Sequence, residues 1–500
     1  MVLEQFTVSL NTEFLSKVLF ILLASISITG YLSLKKIYFL SNSLTHYFLI
    51  IRSTIFFAYV FIIFSLINFF IPLNDFLVLT FYFIGLFIFI IKYFKSDLII
   101  NFRFVLIITF FIILYLLNSG VNNDFGYHAQ HINLYKNLSF FDFNSNIEDS
   151  RIKYNSGYLL LNSITYFSII DISIKFLSAY FLSLFILDIK KYLLIKDENH
   201  TISKILPIFF LICIYITLSK FKNIGTDYIA HITYLSLILF YLFIYNSHKK
   251  FFLNAKFSII LFIILGLLVV LKISMVLCSL ILIHFLFVLY KNNKTLNIFS
   301  IFILLPILMV SIWSYQNFFL SRCLIYPIEH LCFIENKKSI IFENNMISLF
   351  AKSVKIHYWS ESIASLEKMN SILFWFPSWF NDHFFKILEK FIPSLIIFNL
   401  ITYKLLTKKT SYNQNNLIIY ETLLHVIWII TILVWFFHAP ALRFGFSYLV
   451  IIFFILNYKL LNTLKLEYKK IINTNHLIFS YNIFLILMLC YQLYRISISS

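Results

Sequence analysis

The chain has 500 residues, of which 61% are hydrophobic, 20% aromatic and only 12% charged. A soluble domain keeps about a quarter of its residues charged because its surface faces water, so this composition excludes a soluble protein and makes lipid the main solvent. The formal charge of +18 would suggest nucleic acid for a soluble chain; scattered between apolar runs, it reads as basic residues retained on one side of a membrane.

A helix needs about 20 mostly apolar residues to cross the hydrocarbon core. In chain order the expected spans are 14–34, 48–71, 76–94, 101–118, 173–195, 203–220, 227–246, 255–271, 273–290, 296–317, 389–406, 417–437, 444–459 and 475–495. The expected fold class is all-α, a polytopic transmembrane helical bundle of about fourteen spans. The weakest division is at Lys272, where few polar atoms separate two apolar runs. The N-terminus lacks the basic start of a signal peptide, so the first apolar stretch is expected to remain as a helix.

Short loops carrying Lys35–Lys36, Lys92–Lys95, Lys190–Lys191–Lys196, Lys249–Lys250, Lys291–Lys294, Lys404–Lys408–Lys409 and Lys465–Lys469–Lys470 alternate with loops nearly free of charge. Taking the basic set as cytoplasmic puts both termini outside. The long loops 119–172 and 318–388 then lie outside as well. The apolar segment 156–170 is too short to span and would break the charge alternation, so it reads as an interfacial or re-entrant helix. In the second loop, 371–385 carries Trp375 and Trp379 around Pro377 and reads as an aromatic interfacial segment. Four parts result: additional helices over 1–100, a core over 101–317 containing the first outer loop, the second outer loop over 318–388, and C-terminal helices over 389–500.

Cys213, Cys278 and Cys490 lie in or near apolar spans as packing residues. Cys323 and Cys332 share a polar loop and could pair if it is oxidised. No Walker A, dinucleotide-glycine or HExxH pattern is present, which disfavours nucleotide-driven pumps and soluble-cofactor enzymes.

The first outer loop opens on scarce residues, Asn123, Asp124, Gly126, Tyr127, His128 and His131. If 124–135 is helical, Asp124, His128 and His131 share one polar face, while Ile132 and Tyr135 turn toward the membrane. Asp124 could act as a general base or hold a divalent cation, and it is equally a good N-cap. Arg151 and Lys153, followed by Asn155 and Gly157, could hold a phosphate or contact lipid headgroups. Asp227 starts a span, where capping the helix dipole also explains it. Arg443 lies in a short outer turn and could bind a phosphate or a carboxylate; Lys272 is expected to snorkel to the interface.

The order of these short motifs is similar to that of the C-type glycosyltransferase superfamily, multi-pass enzymes using lipid-phosphate-linked sugars, and of an uncharacterised bacterial membrane branch related to it. The resemblance lies in Asp124-Phe-Gly-Tyr127-His128, Tyr154-Asn155-Ser156-Gly157-Tyr158, Thr226-Asp227, Lys272-Ile-Ser274, Leu324-Ile-Tyr326-Pro327 and Ala439-Pro440-Ala-Leu-Arg443-Phe. It implies that Asp124 is the essential acid of the first outer loop, that 156–170 is a juxtamembrane helix, and that Arg443 contacts the phosphate.

The expected function is transfer of a sugar from a polyprenyl-phosphate donor to a cell-envelope glycan or lipid acceptor at the outer face of a bacterial inner membrane. Asp124 would be catalytic, and Tyr127, His128, Arg151, Lys153, Asn155, Asp227 and Arg443 would bind substrate. No cofactor motif is present; the one cofactor envisaged is a divalent cation, magnesium or manganese, on Asp124. Expected partners are the lipid-linked sugar, the acceptor and membrane lipids, not nucleic acid. A lipid-linked saccharide flippase and a polysaccharide polymerase are the alternatives. Scarce charge inside the spans leans against the flippase.

Overall fold

A computed structural model of the protein describes residues 12–34, 48–95, 102–118, 125–146, 153, 155–167, 176–193, 201–218, 227–292, 304–326, 328, 331–333, 372–405, 418–438 and 442–463. Among the described residues there are helices and no strands. In chain order they are α1 (Thr12–Leu32), α2 (Leu49–Asn68), α3 (Asp75–Phe94), α4 (Phe102–Asn118), α5 (Phe125–Asn137), α6 (Gly157–Thr165), α7 (Phe176–Leu193), α8 (Thr201–Leu218) and α9 (Asp227–Ser247). Then follow α10 (Lys249–Phe252), α11 (Ala255–Leu271), α12 (Ile281–Lys291), α13 (Leu304–Ser321), α14 (Ile372–Trp379), α15 (Phe385–Leu405), α16 (Ile418–His438) and α17 (Leu442–Thr463). Each expected span from 14–34 to 444–459 overlaps a helix, and 475–495 lies outside the described residues.

Among the described residues, six helical stretches are long and apolar enough to cross a membrane: Leu15–Leu32, Leu49–Asn68, Asp75–Phe94, Asp227–Tyr245, Ile273–Lys291 and Leu304–Ser321. The protein is therefore a membrane protein that is helical throughout its described elements. The division at Lys272 is a true break: the residue is extended between α11 and a 3-10 run, Ile273–Leu280, that leads into α12.

The described helices of the first hundred residues pack into the bundle. Helix α2 packs against α6, α7, α9, α11 and α13, and is buried along most of its length. Helix α1 crosses α3 where Gly30 meets Gly85; a Cβ on Gly30 would stand 2.1 Å from the Gly85 carbonyl oxygen. Small residues let backbones approach where lipid supplies no hydrophobic drive. The Ser27 hydroxyl uses that closeness to donate to the Tyr82 carbonyl at 2.6 Å.

The start of α2 is capped from outside its own chain segment. Phe48 precedes it and offers no capping oxygen. Instead the buried carboxylate of Asp188, on α7, accepts from the backbone N–H of Leu49 at 2.9 Å and Ile50 at 2.8 Å. An unmade buried hydrogen bond costs roughly 1–3 kcal/mol. Asp188→Ala is expected to lower the melting temperature of the detergent-purified protein measurably, and Asp188→Asn to lower it less, because one amide oxygen remains to accept. Equal melting of Asp188→Ala and wild type would contradict this capping role.

Two segments differ from expectation. Helix α6, expected to be interfacial or re-entrant, is not interfacial: it is buried at all nine residues and enclosed by α2, α5, α7 and α11. It is internal because Gly157 allows a close seat: a Cβ there would meet Val270 Cγ1 at 2.4 Å and Phe61 Cε2 at 2.8 Å. Ser156 caps it, accepting from the Tyr158 N–H at 3.3 Å, and donates its hydroxyl to the Leu271 carbonyl at 2.5 Å. The second is 371–385, which is no separate aromatic segment. Helix α14 runs through a single π turn, Phe380–Phe384, straight into α15. Trp375 and Trp379 are buried against Phe436 of α16, with ring centroids 5.4 and 4.9 Å apart, rather than displayed at a headgroup boundary. At about 1.5 Å per residue the rod reaches about 50 Å, beyond the about 30 Å hydrocarbon core.

Candidate functional site

Three residues far apart in sequence meet where α9 begins, α11 ends and α17 begins. The Lys272 ammonium ion-pairs with the Asp227 carboxylate and donates to the Arg443 carbonyl oxygen at 2.8 Å. It also lies 4.4 Å from the centroid of the Phe444 ring, on which the Arg443 guanidinium stacks at 4.8 Å. Lys272 is buried. The expectation that it snorkels to water is corrected: a carboxylate and a carbonyl within reach hold the ammonium inside. Asp227 is the first residue of α9, as capping requires, but its carboxylate is engaged by Lys272. Arg443 is exposed, and no carboxylate ion-pairs with it among the described residues.

Sequence reasoning missed His231. It lies one turn beyond Asp227 on α9 and is 2% exposed. Its Nε2–H donates to the Arg443 carbonyl at 2.8 Å, and its Nδ1 accepts from the Ser447 hydroxyl at 2.9 Å. His231 and Lys272 thus share one carbonyl and fix the start of α17, which sets where the guanidinium emerges. The i, i+4 spacing of Asp227 and His231 on one helical face was the available signal.

The 155–157 segment reaches the same end of the bundle. Ser156 bonds Leu271, next to Lys272, and the Asn155 carbonyl accepts from the Trp313 indole N–H at 2.7 Å. Asn155 is buried and its Oδ1 accepts the Tyr135 hydroxyl at 2.7 Å. Its φ of 21° falls in the sparsely used region that asparagine tolerates better than most residues.

Helix α5 covers the expected 124–135 helix from Phe125 onward. His128 and His131 are both buried. Ile132 and Tyr135 do not face lipid: Tyr135 is wholly buried and stacks on His131 at 5.0 Å. The reason is docking. Lys136 ion-pairs with Asp75 at the start of α3, and the Leu73 N–H donates to the Tyr135 carbonyl at 2.8 Å, pinning α5 inward. Lys153 is half-buried. The helix includes Tyr127, whose side chain is not described, and Asp124 and Arg151 lie outside the described residues. Among the described residues no group of three or more His, Cys, Asp or Glu could hold a metal ion.

Beyond α13, Arg322 takes a left-handed φ of 57° that ends the helix. The chain then folds back, with Leu324 N–H donating to Leu331 and Phe333 N–H to Arg322 at 2.9 and 2.8 Å, and a disulfide joins Cys323 to Cys332. Cys213 and Cys278 are buried and not disulfide-bonded, as expected of packing residues.

Compared with known proteins, residues 14–450 match a family model described as "Domain of unknown function (DUF8201)". No curated protein and no solved structure matches the chain.

Proposed function

The chain belongs to the family of that domain of unknown function, whose description carries no activity, and from its own residues we propose that it is a membrane glycosyltransferase moving a sugar from a polyprenyl-phosphate donor to a cell-envelope glycan or lipid acceptor. The observation that carries the proposal is the meeting of Asp227, Lys272 and Arg443 beside the 155–157 segment. Lys272 is ion-paired with Asp227, whereas the Arg443 guanidinium is exposed and ion-pairs with no carboxylate among the described residues, so it is the cation of this cluster placed to meet an anion. A lipid-linked phosphate is kept at the headgroup plane by its tail, so a cation emerging at the end of the spans is where that phosphate would be gripped.

The proposed topology has about fourteen spans, loops 119–172 and 318–388 outside, and α6 and α14 as helices belonging to those loops. The alternation of basic short loops supports it. So does the Cys323–Cys332 disulfide, since such bonds persist in oxidising compartments. Asp124 is proposed as the general base on the acceptor hydroxyl or as the ligand of a divalent cation, with Tyr127, His128, Arg151, Lys153 and Asn155 toward the substrate.

The test is incubation of the purified protein with a labelled polyprenyl-phosphate sugar and acceptor lipid. Label should pass to the acceptor. Asp124→Asn is expected to abolish transfer while leaving abundance and membrane insertion nearly unchanged; undiminished turnover by that variant would remove Asp124 from the mechanism. A flippase is the rival favoured by one observation, the wholly buried Arg52 on α2, since sequence reasoning counted few charges inside the spans. Reorientation of the labelled lipid in liposomes without transfer would establish the flippase instead.

A further inference from the structure

Beside the first outer loop, five buried side chains hold polar atoms without a hydrogen-bond partner among the described residues. They are Asn68 Oδ1, both ring nitrogens of His131, Asn155 Nδ2, Gln316 Nε2 and Asn317 Nδ2. All five residues are at most 1% exposed. Buried polar groups are paired in the great majority of cases, so this concentration on neighbouring elements calls for a physical cause.

The elements are joined to one another. Tyr135, one turn beyond His131 on α5, donates its hydroxyl to Asn155 at 2.7 Å, and its carbonyl accepts from Asn68 Nδ2, on α2, at 3.4 Å. Trp313 donates to the Asn155 carbonyl and shares one face of α13 with Gln316 and Asn317 at i, i+3 and i+4. Helix α13 packs against α2. The groups left over are therefore amides and an imidazole on facing elements, with the rings of Tyr135, Phe143 and Trp313 among them.

This set carries no net charge. Burial, then the neighbouring His128, pulls His131 down to about 3, so its ring is neutral and offers one N–H and one lone pair. Lys136, on the same helix, is held by Asp75. The five side chains themselves offer an anion no cation, and an apolar chain would leave every amide unmet. A ring bearing several hydroxyls suits it, because each hydroxyl both donates and accepts and the ring's apolar faces suit aromatic walls. We propose that α2, α5, Asn155 and α13 form a saccharide subsite, in which Asn155, Gln316 and Asn317 donate to sugar hydroxyls and Asn68 accepts from them. The assignment to a sugar of the transfer reaction rests on the proposed function; binding of the sugar itself does not.

The experiment uses the full-length protein in detergent, with the methyl glycosides of glucose, galactose, mannose and N-acetylglucosamine as phosphate-free probes. Binding is read by saturation-transfer NMR and folding by thermal melting. At least one glycoside should bind, and Gln316→Leu or Asn317→Leu should weaken it at least about tenfold while holding or raising the melting temperature, since each deletes a buried donor that lacks a protein partner. Gln316→Met serves where the leucine variant fails to accumulate. Absence of glycoside binding, or binding untouched by these variants, overturns the subsite, as does a lowered melting temperature with unchanged binding, which would mean that the donors serve structural water. Glycoside binding lost in the variants, in a protein that transfers no sugar, would keep the subsite and sink the transferase reading.

Discussion

Lys272→Met is expected to be strongly damaging, lowering the yield of folded protein and its melting temperature more than any exposed change. Its ammonium is buried against the Asp227 carboxylate, the Arg443 carbonyl and the Phe444 ring. Removing one partner of a buried pair leaves an uncompensated charge, which costs about 3–5 kcal/mol. The reciprocal Asp227→Asn should be milder, because Lys272 keeps a carbonyl and an aromatic face. The double variant Lys272→Met with Asp227→Asn should recover much of the loss, since no buried charge then lacks its counterpart. A thermal-melting cycle over the wild type, the two single variants and the double measures this coupling directly. Additive losses would mean that the pair contributes no specific stability and that Lys272 acts only through packing.

How far the sequence could be read depended on which solvent each residue faces. Span positions were legible because about 20 apolar residues in a row leave few alternatives to a crossing helix; α2, α3 and α9 begin and end within a few residues of their expected limits. Short segments were not legible in the same way. An apolar run such as 157–165 reads alike whether lipid or protein covers it, and only the tight seat of Gly157 against Val270 and Phe61 distinguishes the two. Trp375 and Trp379 suggested a headgroup boundary because aromatic rings favour it, yet Phe436 of α16 offers them a buried face instead. Asp227, Lys272 and Arg443 were each visible as scarce charges, but their contacts span 45 and 171 residues, and no local pattern reports a contact of that separation. His231 was hidden for a related reason: its role lies in the carbonyl of a residue on another helix.

Arg443→Ala is expected to reduce turnover of a labelled polyprenyl-phosphate sugar by about 10²–10³, the effect of deleting one donor that stabilises developing charge, with an unchanged melting temperature. The two readouts separate because of where the side chain lies. The backbone carbonyl of Arg443 is held by Lys272 and His231 and survives the substitution, whereas the guanidinium is exposed and ion-pairs with no carboxylate among the described residues. Arg443→Lys should recover only part of the activity, since an ammonium restores the charge but not the planar fork that meets a phosphate through two parallel bonds. His231→Gln should fall between, because it loosens the carbonyl anchor without removing the cation. Raised salt supplies an independent arm: an exposed cation gripping an anionic headgroup loses attraction as the Debye length falls to about 3 Å at 1 M, so wild-type KM should rise with salt and that of Arg443→Ala should not. Equal salt sensitivity in the two proteins would show that the phosphate is gripped elsewhere, whatever the loss in turnover.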